Sequence, residues 1–125
     1  MKEGAHTSWI SINQSGMSLY DVIKDGNLRE ANLPKSSWMS LLANSSLETD
    51  CILEGFNVDT KRYPRAARAR IGIIGFQKDC SFPSRSRIGY GTSGDHYGMK
   101  DSNSCGNEDG NKSISIKAFG YVLVQ

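Results

Sequence analysis

The chain has 125 residues, 38% of them hydrophobic and 22% charged. That fits one domain able to bury roughly two-thirds of the surface its unfolded chain exposes, and it excludes a disordered composition. A formal net charge of +2 excludes a strong electrostatic trap for nucleic acid, and no apolar run approaches the ~20 residues of a membrane span.

The start of the chain lacks the apolar stretch of a signal peptide. Met1 is read as a start added to a fragment, with the export signal in a longer parent chain. Residues 9–12 (Trp9-Ile10-Ser11-Ile12) predict a strand, 13–16 a turn and 17–23 a second strand, followed by a turn at Asp25-Gly26. One short helix is expected next. Ser36 or Ser37 would cap it, and Trp38, Met39, Leu41 and Leu42 give it an apolar face before Asn44 ends it.

Residues 66–76 carry the clearest strand pattern. Ala67, Ala69, Ile71 and Ile73 share one face, while Arg68 and Arg70 begin a second face that turns apolar at Ile74. A shorter strand over 87–91 echoes Arg70-Ile71-Gly72 as Arg87-Ile88-Gly89. Residues 113–124 alternate through Ile114, Ile116, Ala118, Val122 and Val124. Phe119, Tyr121 and Leu123 make the other face apolar, which predicts a central strand covered on both sides. So apolar a strand ending at Gln125 is read as the natural C-terminus of the parent protein.

Between the last two strands, residues 92–111 read as a long polar loop, and ordered loops of that length are commonly functional. Asp95, His96, Tyr97, Asn103, Asn107 and Glu108 supply the planar acceptors and aromatic ring that sugar-binding sites use. Oxygen donors at Asp101, Asn103, Asn107, Glu108 and Asp109 suit calcium, and residues 101–106 resemble the start of an EF-hand loop. Lys112, however, stands where that loop needs a bidentate Glu. No cofactor is therefore expected, with calcium as the alternative.

The cysteines Cys51, Cys80 and Cys105 form no C-x-x-C pair. Each follows polar, turn-like residues, which predicts bridging at strand ends. Cys80–Cys105 would anchor the long loop and is the first pairing; Cys51–Cys80 is the second. Either would stabilise the fold by about 3–4 kcal/mol on the chain-entropy account. An enzymatic alternative would use Cys80 or Cys105 as a thiol nucleophile with His96 as its base and Asp101 to orient it. Arg65, Arg68, Arg70, Arg85 and Arg87 form a candidate basic patch. A phosphate-tracking role is disfavoured because half of that run begins a strand, where alternation turns arginines toward solvent.

Residues 69–75 (Ala-Arg-Ile-Gly-Ile-Ile-Gly), Asp79-Cys80, residues 86–91 (Ser-Arg-Ile-Gly-Tyr-Gly), Cys105-Gly106-Asn107-Glu108 and residues 116–125 together resemble the C-terminal modules of large enterobacterial exported proteins. Those proteins are built from immunoglobulin-like repeats and are related to intimins, invasins and their secreted companions. The similarity covers roughly residues 50–125. It implies export through the periplasm, oxidised cysteines and adhesion to a surface partner, and it transfers no binding residues.

The expected fold is mainly β: a compact antiparallel domain spanning 1–125 with one short helix, either a sandwich or a lectin-like α+β arrangement. The expected function is recognition of a host or bacterial-surface protein or glycan, outside the cell or on its surface, without nucleic acid and without membrane insertion. A thiol-dependent enzyme and a purely structural terminal cap are the alternatives.

Overall fold

The computed structural model describes residues 2–3, 6–48, 50–61, 66–76, 79–80, 86–94, 106–109, 112–116 and 118–125, with the backbone alone described at 2–3, 6, 106–109 and 112–115. Two short strands, β1 (Lys2–Glu3) and β2 (His6–Thr7), pair antiparallel at the start. Residues 9–12 form no strand: Trp9 is 80% exposed, while Ile10 and Ile12 lean on the core from outside. The second expected strand is instead a helix, α1 (Leu19–Ile23). The cause is local. Ser18 is extended, and its hydroxyl accepts the Asp21 N–H at 3.1 Å, so a side-chain cap starts the helix and an acidic residue occupies its first turn. The Asp25-Gly26 turn forms as expected, with Gly26 at φ 71° and the Asn27 N–H donating to Asp25 Oδ1 at 2.9 Å.

A second short helix, α2 (Lys35–Met39), starts ahead of the serines expected to cap it. Pro34 occupies the cap position with ψ 152°, and its carbonyl accepts the Ser37 N–H at 3.0 Å. Two helices thus stand where one was expected. Five residues make a helix that packing must hold, and Trp38, 1% exposed, is the side chain that holds it.

The principal sheet has five antiparallel strands in sequence order: β3 (Cys51–Val58), β4 (Ala69–Phe76), β5 (Ser86–Tyr90), β6 (Gly106–Asp109) and β7 (Lys112–Ile116). The fold is mainly β. Strand β3 was not anticipated, and β6 lies within the segment expected to be a loop. Of the Arg-Ile-Gly echo only the glycines meet: Gly72 of β4 lies opposite Gly89 of β5. Side chains at either position would strike the facing strand's backbone, so these glycines permit a close approach.

The sheet buries residues on both faces. On one, Phe56, Ile71, Ile73 and Ile88 pack with Val22 of α1, with Trp38 of α2 and with Leu41, Leu42 and Leu47. On the other, Val58, Ala67, Ala69, Ile74 and Phe76 form a smaller cluster beside Cys51, Leu53 and Cys80. Ala67 and Ala69 therefore separate from Ile71 and Ile73, contrary to the simple alternation. Gly72 leaves the room: a Cβ there would lie 3.1 Å from that of Ala69.

The helical layer is fastened to β3 by polar contacts. Glu54, 8% exposed, accepts from the backbone N–H groups of Ala31 (3.1 Å) and Asn32 (2.8 Å) through Oε1, and from Trp38 Nε1 (2.9 Å) through Oε2. Beside it, Arg29 and Phe56 exchange backbone hydrogen bonds of 3.0 and 2.8 Å along the outer edge of β3. Gly55, at φ 120°, gives that segment its space; a Cβ there would run into the Arg29 carbonyl.

The C-terminal expectation is corrected. Strand β7 ends at Ile116 and is the last in the sheet rather than central. Phe119, Tyr121 and Leu123 are 62%, 75% and 89% exposed. Phe119 and Tyr121 stack edge-to-face, with ring centroids 5.1 Å apart, and the Tyr90 hydroxyl donates to the Tyr121 carbonyl at 3.2 Å. Among the described residues no helix is long and apolar enough to cross a membrane.

Candidate functional site

A concavity opens where β3 ends, β4 begins and the chain leaves β5. It is a cleft of about 300 Å³ lined by Asn57, Val58 and Asp59 from β3 and its end, by Arg68, Ala69 and Arg70 from β4 and its start, and by Gly26, Gly91 and Ser93. Backbone ladders define its walls. Arg68 and Ser93 exchange hydrogen bonds of 2.9 and 3.1 Å, and the Arg70 N–H donates to the Gly91 carbonyl at 3.3 Å.

Asn57 is the unusual residue of this cleft. It is 5% exposed and adopts φ 53° within β3, a left-handed conformation that asparagine tolerates better than most residues. Its amide nitrogen donates to the Asn27 carbonyl at 3.0 Å, and its Oδ1 accepts from Arg70 Nη1 at 2.8 Å. Arg70 is thus held on one side by a buried amide. Below its stem lies Gly91, at φ 59°, where a Cβ would come within 2.9 Å of Arg70 Cβ. The guanidinium itself remains exposed. Its Nε and Nη2 make no hydrogen bond to the described residues, so the planar fork is oriented and one of its edges is open.

Asp59 supplies the opposing charge. One of its oxygens accepts the Lys61 N–H at 2.8 Å. Arg68, Arg70 and Asp59 are the charged residues of the lining among the described residues. Nearby, the Asn27 backbone N–H, helped by Arg29, holds the Asp25 carboxyl below the usual carboxylate range, against a smaller opposing effect of desolvation.

The residues singled out in the sequence divide sharply. Arg68 and Arg70 come together in the cleft. Arg87 leaves the basic patch: it is 2% exposed, opposite Ile74, because β5 is an interior strand whose two faces are both covered. Arg65, Arg85, Asp95, His96, Tyr97, Asp101, Asn103 and Cys105 lie outside the described residues, and Asn107, Glu108 and Asp109 are placed only as backbone of β6. Cys80 is joined to Cys51, the second of the two expected pairings, with Cα atoms 5.4 Å apart. The Cys80–Cys105 bridge is thereby corrected. Cys51 begins β3 and Cys80 follows β4, so the bridge staples two neighbouring strands at one end. As a disulfide sulfur, Cys80 is not available as a thiolate nucleophile. Among the described residues no three His, Cys, Asp or Glu side chains gather as a metal site.

Asn57, Asp59 and Gly91 are the cleft residues the sequence did not mark. An asparagine inside a strand-like run, flanked by Phe56 and Val58, was the available signal, but only the register of β3 against β4 shows that it faces Arg70.

No family model, no curated protein and no solved structure matches this chain.

Proposed function

We propose that this domain is an extracellular recognition module of an exported protein, and that its cleft receives a polar group of a cell-surface protein or glycan. The observation that carries the reading is the guanidinium of Arg70 on the cleft's lining, clamped through one nitrogen by a buried, left-handed Asn57. Backbone strain held by surrounding structure is concentrated at functional sites, and fixing a binding group in advance lowers the entropic cost of association. The Cys51–Cys80 bridge supports an oxidising compartment, where such bonds persist.

The test is saturable binding of labelled, oxidised protein to a panel of host and bacterial cells, before and after glycosidase or protease treatment. Binding abolished by one treatment supports the reading and separates glycan from protein partners. Absence of saturable binding across the panel overturns it and favours a purely structural cap.

A further inference from the structure

Independently of the cleft, we infer that the chain pairs with a second copy of itself through residues 120–125, joined antiparallel across a two-fold axis at Val122. This segment is apolar and in the open. Phe119, Tyr121, Val122, Leu123 and Val124 are 62%, 75%, 41%, 89% and 65% exposed. No charged side chain and no proline stands between Ala118 and Gln125, although these are the side chains that keep single edges from pairing.

The backbone is equally ready. Residues 120–125 contain neither helix nor turn, and none takes a positive φ. The Tyr121 carbonyl accepts the Tyr90 hydroxyl, which fastens the segment beside β5. Among the described residues the backbone of 122–125 makes no hydrogen bond. Successive residues of an extended chain present their backbone groups to opposite sides, so those of Gly120, Val122 and Val124 point away from Tyr90. Two antiparallel copies exchange them, Val122 with its counterpart and Gly120 with Val124. That register sets the Tyr121 ring beside Leu123 of the second copy, an aromatic–aliphatic cross-strand pair.

The area suffices. At ~150–250 Å² for a whole aromatic side chain, Phe119 and Tyr121 alone leave ~200–350 Å² exposed, and the three aliphatic residues add a comparable amount. Two copies covering each other remove about 1,000 Å², the size at which specific interfaces begin. The segment is its own complement: the two-fold operation matches apolar with apolar along residues 120–124 and closes at two copies.

Sedimentation equilibrium of the oxidised full chain should show monomer and dimer, half-associated at about 10–100 µM, as suits an interface of the smallest specific size. Val122→Lys sets two ammonium groups against each other on the axis and should raise the dissociation constant by about tenfold or more. Met17→Lys, at a position 95% exposed outside the segment, should leave it unchanged. Urea midpoints at low concentration check that the variants fold. If Val122→Lys is destabilised, Leu123→Lys, at the most exposed position of the segment, serves in its place. In a mixture of labelled and unlabelled copies, isotope-filtered NOEs should join the Tyr121 ring of one copy to the Leu123 methyls of the other.

A chain still monomeric at about 1 mM, where only contacts weaker than about 4 kcal/mol would escape, overturns the inference. So does a dimer untouched by a lysine in the segment, or one weakened equally by Met17→Lys. Species that keep growing beyond two copies, or a dimer without the Tyr121–Leu123 NOE, overturn it as well.

Discussion

Replacing Glu54 by glutamine tests what fastens the helical layer to the sheet. The carboxylate accepts three N–H groups, two from the backbone at Ala31 and Asn32 and one from Trp38, and is 8% exposed. Glutamine has one acceptor oxygen. If that oxygen faces the two backbone donors, its NH₂ group confronts Trp38 Nε1, and a buried donor loses its partner at a cost of about 1–3 kcal/mol. The two surviving bonds become neutral rather than charge-assisted, losing about 1 kcal/mol each. Relief of the buried charge offsets part of this. The opposite orientation orphans two donors and is worse. Glu54→Gln should therefore destabilise the domain by about 2–4 kcal/mol, lowering the urea midpoint by about 1–2 M at typical slopes. Trp38→Phe in the Glu54→Gln background should cost less than in the wild type, with a coupling of about 1 kcal/mol or more. A change under about 0.5 kcal/mol in Glu54→Gln, or additive behaviour in the cycle, would refute the clasp.

Three further outcomes are expected. Replacing Cys51 and Cys80 together by serine should cost about 3–4 kcal/mol, the chain-entropy value for a sequence separation of 29 residues, read from urea melts. Gly55→Ala should destabilise by about 3 kcal/mol or more, because φ 120° disfavours a side chain and the new methyl meets the Arg29 carbonyl; thermal melts measure it. Asp25 has a folded-state pKa below its unfolded one, chiefly through the Asn27 N–H. Its contribution to stability is present above the unfolded value and is lost as pH falls through the folded value. Carboxyl NMR titration should show the low pKa in the wild type and a partial return toward the ordinary range in Arg29→Gln.

What was legible depended on how local the determinant was. The strand over 66–76 showed in its own alternation and forms as β4. The Asp25-Gly26 turn was legible because its chemistry is contained in adjacent residues. α1 was misread although its signal was present: Ser18 stands three residues before Asp21, a cap-and-first-turn pattern, but the apolar residues at 17, 19 and 22 looked like a strand. The C-terminal run shows the reverse error. Its alternation was real, but whether such a run is covered depends on the number of strands beyond β7, which local pattern does not contain. Arg87 failed for a related reason. Arginine on a strand usually marks solvent, yet this one lies in an interior strand opposite Ile74. The cleft was half legible, through Arg68 and Arg70. The other half needed the β3–β4 register, because residues far apart in sequence become neighbours only there.

β3, the strand the alternation missed, explains why. Its middle assigns a different task to each successive residue. Glu54 accepts donors from the helical layer, Gly55 makes room for Arg29, Phe56 enters the main core and Asn57 clamps Arg70. No two-residue period survives such demands. Cys51 ties one end of the strand to the segment after β4, while the other end forms the cleft. Stability and the candidate site are therefore coupled through one strand, and a variant within it alters both. Arg70 is coupled to β3 only through its bond to Asn57, because its side chain is exposed and its backbone lies on the neighbouring strand. A loss of binding in Arg70→Lys larger than its measured loss of stability is for that reason the cleaner measure of recognition, and Asn57 variants gain meaning only when read against it.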